Sequence, residues 1–230
     1  GLDNLTQLQS LNLNETNISE LKGLDNLIQL QSLYLHSTNI TELKGLDNLT
    51  QLQSLDLHCT KILDLKGLDN LIHLQSLNLS HTNITELKGL DNLTQLQSLD
   101  LTRTNITELK GLDNLTQLQS LYLSGTNITR LPEELLSQLP LVEHLMCCNP
   151  PINNIPTAIL STDFTDNCLP RVKAYFASLK QGVVPMTDLK LMVLGNGQIG
   201  KTQICRRLCG ERFDQTIPST HGVLVRQAMF

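Results

Sequence analysis

The chain has 230 residues, 40% hydrophobic, 3% aromatic and 17% charged, with no Trp. That is long enough for one or two domains with a substantial core. Its 17 basic and 22 acidic residues give a net charge of -5, which argues against a general nucleic-acid binder, and no apolar run approaches the ~18 residues a spanning helix needs.

The charge is unevenly spread. Residues 1–156 carry 8 basic and 17 acidic side chains, and residues 157–230 carry 9 and 5, so the two stretches differ in sign. Such a split predicts segments with different roles. The six cysteines (Cys59, Cys147, Cys148, Cys168, Cys205 and Cys209) form no CxxC pair and no zinc or disulfide-scaffold spacing. With no signal peptide at the start, they read as reduced thiols of a cytoplasmic protein. The chain opens at Gly1 in mid-pattern, without an initiator Met, which predicts a piece of a longer protein.

A 22-residue period fills the first part of the chain. Gly1, Gly23, Gly45, Gly67, Gly89 and Gly111 open six near-copies of one unit. In the copy at 89–110 the apolar ladder is Leu90, Leu93, Leu96, Leu99, Leu101, Ile106 and Leu109, the spacing of a leucine-rich repeat. A degenerate seventh unit follows 24 residues on, with Leu139, Val142, Leu145, Cys147, Pro150, Ile152 and Ile155. Its two extra residues fall in 132–139, on the outer segment. Leu99-Asp100-Leu101 has period 2, predicting a short strand with both leucines inward. Seven buried apolar side chains contribute about 1.5–3 kcal/mol each, against about 1–2 kcal/mol for ordering each backbone residue. One unit cannot fold alone; stacked copies can, as an α/β solenoid with a parallel sheet on its concave face. Thr16, Thr38, Thr60, Thr82, Thr104 and Thr126 stand where such repeats commonly place a buried Asn, and their hydroxyls can serve turn backbone groups. No N-terminal cap precedes the first unit.

Differences between copies concentrate in three columns. The first reads Asn12, Tyr34, Asp56, Asn78, Asp100, Tyr122; the second Asn14, His36, His58, Ser80, Thr102, Ser124; the third Glu15, Ser37, Cys59, His81, Arg103, Gly125. The first two are expected to face out between the buried leucines, with the third beside them. This predicts a surface for a protein or peptide, with Tyr34, His36, Asp56, His58, Asn78, His81, Asp100, Arg103 and Tyr122 as contact residues. His36, His58 and His81 fall close together but lack a clear carboxylate–histidine arrangement for a metal. The Lys column (Lys22, Lys44, Lys66, Lys88, Lys110) beside its acidic column reads as surface charge balance.

After residue 156 the period stops. Residues 157–187 are expected to hold a polar loop at 163–167, a helix over Arg171–Lys180 and a linker. Val172, Tyr175, Phe176 and Leu179 lie at helical spacing, the pattern of a cap over the last repeat's open core. Residues 188–230 form the third segment. Its apolar run Leu189–Leu194 suits a buried parallel strand and runs into Gly195, Asn196, Gly197, Gln198, Ile199, Gly200, Lys201 and Thr202, the G-x-x-x-x-G-K-[ST] phosphate loop. The glycines let successive N–H groups turn toward a phosphate, and a helix that starts at Gly200 and continues through Gln203–Cys209 adds its positive end. Lys201 would reach the β- and γ-phosphates, and Thr202 would ligate Mg²⁺. Downstream, Thr220 in Ser219-Thr220-His221-Gly222 sits at the place of a switch threonine that closes on Mg²⁺, with Thr216 the other candidate.

Leucine-rich repeats, then a cap helix, then KLMVLGNGQIGKT and STHG, resemble a Roco protein. That family joins leucine-rich repeats to a Ras-like Roc GTPase domain and a COR dimerisation domain. The 22-residue units and the threonine column are similar to its bacterial members. The resemblance implies binding of GTP and GDP with Mg²⁺, hydrolysis of GTP, and a homodimer through COR. The 43 residues from Asp188 to Phe230 contain no D-x-x-G and no guanine-reading N-K-x-D, and a Ras-like domain needs on the order of 150 residues. The 230-residue chain alone is therefore expected to have no GTPase turnover. The other readings are an adaptor with a relic phosphate loop and a signalling P-loop ATPase.

Overall fold

The computed structural model describes residue 2, residues 4–148 and residues 150–180. Seven three-residue strands, β1 (Ser10–Asn12), β2 (Ser32–Tyr34), β3 (Ser54–Asp56), β4 (Ser76–Asn78), β5 (Ser98–Asp100), β6 (Ser120–Tyr122) and β7 (His144–Met146), form one parallel sheet in chain order. Each residue pairs with its equivalent one repeat on: Leu33 with Leu55, Leu77 with Leu99, and Leu121 with Leu145 across the longer interval. Inter-repeat bonding continues past the strands, as Leu35 N–H donates to the Asp56 carbonyl and Ser37 N–H to that of His58, both at 2.9 Å.

The L-x-x-L-x-x-L half of each unit returns the chain without a helix. Leu27 N–H donates to Leu24 O and Leu30 N–H to Leu27 O, both at 2.9 Å, so successive i to i−3 turns put every third residue, a leucine, on the same side. Among the described residues, only the seventh unit carries a helical turn in its outer segment, α1 (Leu135–Gln138), where its two extra residues fall.

The core is one continuous leucine stack. Leu33, Leu55, Leu77, Leu99 and Leu121 are at most 1% exposed. Thr38, Thr60, Thr82, Thr104 and Thr126 are buried beside it, and each hydroxyl donates to the carbonyl three residues back at 2.6–2.8 Å. The threonine column thus closes a turn inside each repeat. Linkage between repeats falls to a second column, in which the Asn48, Asn70, Asn92 and Asn114 amides donate to the carbonyls of Asp25, Asp47, Asp69 and Asp91 at 3.2–3.4 Å.

The two ends of this unit differ. In the first turn Leu8, Leu11, Leu13 and Ile18 are only partly buried and Leu5 is 47% exposed, while Leu27, Leu30, Leu33, Leu35 and Ile40 one turn on are fully buried. At the other end α2 (Leu169–Lys180) lies against β7. It starts two residues earlier than its periodicity suggests. Leu169, Val172 and Phe176 are buried, Tyr175 is half-buried, and Leu179 is 50% exposed, so the buried face stops one turn short of the expected stripe. Asn167 covers the open edge of β7: its Oδ1 accepts from Leu145 N–H at 3.0 Å and its Nδ2 donates to Glu143 O at 2.8 Å. Arg171 fixes this segment, bonding Asp166 Oδ2 at 2.6 Å and the carbonyls of Ile159 and Leu160 at 3.0 and 3.1 Å. Among the described residues no helix is long and apolar enough to cross a membrane.

Candidate functional site: the exposed sheet face

Alternation along Ser-Leu-X fixes what the sheet presents. The leucine points into the core, and the residues on either side of it point out. One exposed column is therefore the invariant Ser10, Ser32, Ser54, Ser76, Ser98 and Ser120, with His144 in register after Ser120. Sequence reasoning passed over these serines because they do not vary between copies. The next column is the expected one: Tyr34, Asp56, Asn78, Asp100 and Tyr122 are all half-buried and line the face.

Part of that column closes the backbone. Asp56, Asn78 and Asp100 each accept, through Oδ1, the N–H two residues on, from His58, Ser80 and Thr102 at 3.0, 3.0 and 2.8 Å. A short Asn or Asp side chain satisfies the N–H where the strand ends. In the second repeat Tyr34 cannot do this, and Asn14 of the repeat before accepts from His36 N–H at 2.8 Å.

The second column departs from expectation in two copies. Ser80 is 5% and Ser124 1% exposed. Being small, they sink below the surface, and Ser124 Oγ accepts from Cys148 N–H at 3.0 Å. His36 and His58 remain on the face.

The third column forms the rim. Glu15, Ser37, Cys59, His81 and Arg103 have φ between 54° and 59°, and Gly125 has 69°. The chain turns there in the left-handed region, which costs an L-residue roughly 1–2 kcal/mol and glycine almost nothing. Gly125 was the one sequence signal of that turn.

His36, His58 and His81 come together as expected, ring edge to ring face, with centroids 4.9 and 5.0 Å apart. Burial, then the nearby His58 and Arg103, hold His81 below the ordinary imidazole range, while Asp100 pulls the other way. Among the described residues no group of three or more His, Cys, Asp or Glu is placed to hold a metal ion. Arg103 lies 5.4 Å from the ring centroid of Phe164, which is 47% exposed. Phe164 comes from the polar loop before α2, so that loop reaches the rim of the fifth repeat, a juxtaposition no spacing rule could have found.

Of the cysteines, Cys59 is exposed and Cys147, Cys148 and Cys168 are buried, all four as free thiols. A hydrogen bond shared by Cys147 and Cys168 holds the Cys168 thiol down to about 6 and pushes that of Cys147 up. The phosphate-loop residues Gly195, Asn196, Gly197, Gln198, Ile199, Gly200, Lys201, Thr202 and Gln203, together with Thr220, lie outside the described residues.

Family models agree with the repeat register. One for leucine-rich repeats in two copies matches residues 28–70 and 72–114, and one for a single leucine-rich repeat matches residues 117–139. No curated protein matches the chain. Among solved structures, an internalin (inlF) from Listeria monocytogenes is similar at 30% identity and a TM-score of 0.63, over 68% of this chain and 46% of that one. Internalin C2 of the same organism is similar at 28% identity and a TM-score of 0.63, over 67% of this chain and 68% of that one. A leucine-rich-repeat protein of Leptospira interrogans is similar at 30% identity and a TM-score of 0.62, over 66% of this chain and 40% of that one. The chain thus spans about half the length of the first of these proteins. Residues 28–139 are leucine-rich repeats, and the sheet is the parallel sheet of a leucine-rich-repeat solenoid.

Proposed function

We propose that this leucine-rich-repeat solenoid is a recognition module and that its exposed sheet face binds a protein or peptide, either a separate partner or the longer protein's own GTPase domain. One observation carries the reading. All six copies differ at the left-handed rim, and five of them keep a side chain where glycine costs least. Elsewhere on the exposed surface the copies differ less, with departures such as Ile28, Lys61, Leu63 and Ile72, and the exposed Asp25, Asp47, Asp69, Asp91 and Asp113 are unchanged. Variation concentrated on the strands and rim of a solenoid is the pattern of a surface that discriminates between ligands. Changing Tyr34, Arg103 and Tyr122 together to Ala is expected to leave folding intact, read by circular dichroism and thermal melting, and to abolish partner capture. Full capture of every partner by the folded variant would refute it.

The residue types of segment 188–230 support the second half of the reading, a Roc-type GTPase within a cytoplasmic Roco protein that dimerises through a COR domain. In that reading the backbone of Gly195–Thr202 cradles the nucleotide phosphates, Lys201 holds their outer oxygens, and Thr202 and Thr220 hold Mg²⁺. Mg²⁺, when bound, neutralises charge developing on the phosphates as GTP becomes GDP. The test is binding of labelled GTP and ATP, with and without Mg²⁺, by the chain extended through its GTPase domain. Magnesium-dependent GTP binding lost in Lys201→Ala is expected. A folded domain that binds neither nucleotide would make the loop a relic and the protein an adaptor.

A further inference from the structure

Cys59 and His58 are neighbours in sequence, and their side chains meet. Cys59 Sγ lies 3.3 Å from His58 Nε2. The other ring nitrogen, Nδ1, lies 2.7 Å from Ser80 Oγ, and the Ser80 hydroxyl donates to Asn78 Oδ1 at 2.7 Å. The donor order follows from this chain. With its own proton on Asn78, Ser80 Oγ accepts from His58 Nδ1–H. That leaves Nε2 unprotonated, and it accepts the Cys59 thiol proton. His58 is further held in place. Its backbone N–H donates to Asp56 Oδ1 at 3.0 Å, and the rings of His36 and His81 stand against it edge to face. Cys59 is itself pinned at the rim, with φ at 55° and its N–H donating to Ser80 O at 3.0 Å. Among the described residues it is the exposed thiol, open to a reagent from solvent.

A thiol within reach of a base whose other nitrogen is oriented by a third group is the arrangement of an activated sulfur nucleophile. We propose that Cys59 and His58 form a nucleophile–base pair, and that Cys59 is a site of S-thiolation by low-molecular-weight disulfides of the glutathione class. The step balances as follows. The Cys59 proton passes to His58 Nε2, and the sulfur attacks one sulfur of the disulfide. A mixed disulfide forms, the original sulfur–sulfur bond breaks, and the departing thiolate takes the proton from the imidazolium. Cys59 ends one oxidation level higher, and one equivalent of free thiol is released. The site stands on this local geometry and does not depend on the recognition reading. It lies in the third of seven repeats, so the adduct would stand on the rim beside the middle of the sheet.

The test uses the full chain and oxidised glutathione, with peptide mass spectrometry resolving Cys59 from the other cysteines. At neutral pH Cys59 is expected to react about tenfold or more faster in the native chain than in the urea-unfolded chain. Both His58→Gln, which removes the base, and Ser80→Ala, which removes its orienting acceptor, are expected to bring the native rate toward the unfolded one while keeping the circular dichroism spectrum. Free imidazole added to His58→Ala is expected to restore part of the rate. A native rate no faster than the unfolded rate overturns the proposal. So does an unchanged rate in both folded variants, His58→Gln and Ser80→Ala.

Discussion

At Gly67 φ is +102°, and a Cβ placed there would come within 2.8 Å of the Leu43 carbonyl oxygen in the repeat before. Gly45, Gly89 and Gly111 repeat this contact with Leu21, Leu65 and Leu87 at 2.6–3.0 Å, whereas a Cβ at Gly23, where φ is +83°, meets nothing within 4 Å. The column therefore combines a backbone demand with a packing demand, and the two separate experimentally. Gly23→Ala bears only the left-handed cost, about 1 kcal/mol. Gly67→Ala adds a clash with rigid backbone and is expected to lose about 2–3 kcal/mol. Urea unfolding midpoints of the two variants check this, and equal losses would show that the carbonyl contact is relieved by a small backbone shift.

The terminal segment works through a few polar side chains. Asn167 satisfies the β7 edge that would otherwise offer unpaired groups to another strand, and its Oδ1 also accepts from Leu169 N–H at the start of α2 at 3.1 Å. Asp166 holds Arg171, and Arg171 holds the two carbonyls before it. The Arg171 guanidinium, then the Thr162 N–H, hold the Asp166 carboxyl down to about 2. A folded-state value below the unfolded value of about 3.9 means that this contribution is complete above about pH 4 and is lost as pH falls through about 2. Amide exchange in α2 is expected to accelerate over that interval, and Asp166→Asn is expected to remove the acid dependence. Constant α2 protection down to pH 2 in the wild-type chain would argue that Arg171 is held by the carbonyls alone.

Over the whole solenoid each repeat touches its neighbours and little else, so stability accumulates along the stack. Leu55, Leu77 and Leu99 are fully buried between two neighbours, while Leu11 of the first turn is half-buried. Protection from amide exchange is therefore expected to be highest in β3–β5 and lowest in β1. Leu77→Ala, in the middle of the stack, is expected to cost about 2–5 kcal/mol and to speed exchange on both sides of β4. Uniform exchange rates from β1 to β7 would indicate one all-or-none unit instead.

The sequence alone determined the repeat, the strands, the parallel order and the buried leucines. A 22-residue period restates one local solution six times, and a leucine at a fixed offset has nowhere to go but the shared core. It also placed the first variable column on the exposed face, because alternation along a strand is a local property. Tertiary structure decided what depends on distance between repeats. The rim turns left-handed because each strand must leave the sheet and reach the next turn. Ser80 and Ser124 sink because their side chains are too short to reach past their neighbours. Phe164 meets Arg103 across about 60 residues of chain. The Cys59–His58–Ser80–Asn78 chain exists only because the third and fourth repeats stack, which brings Ser80 within 2.7 Å of an imidazole 22 residues before it. Spacing along a chain records a side chain's face, and only packing brings that face within hydrogen-bonding distance of another.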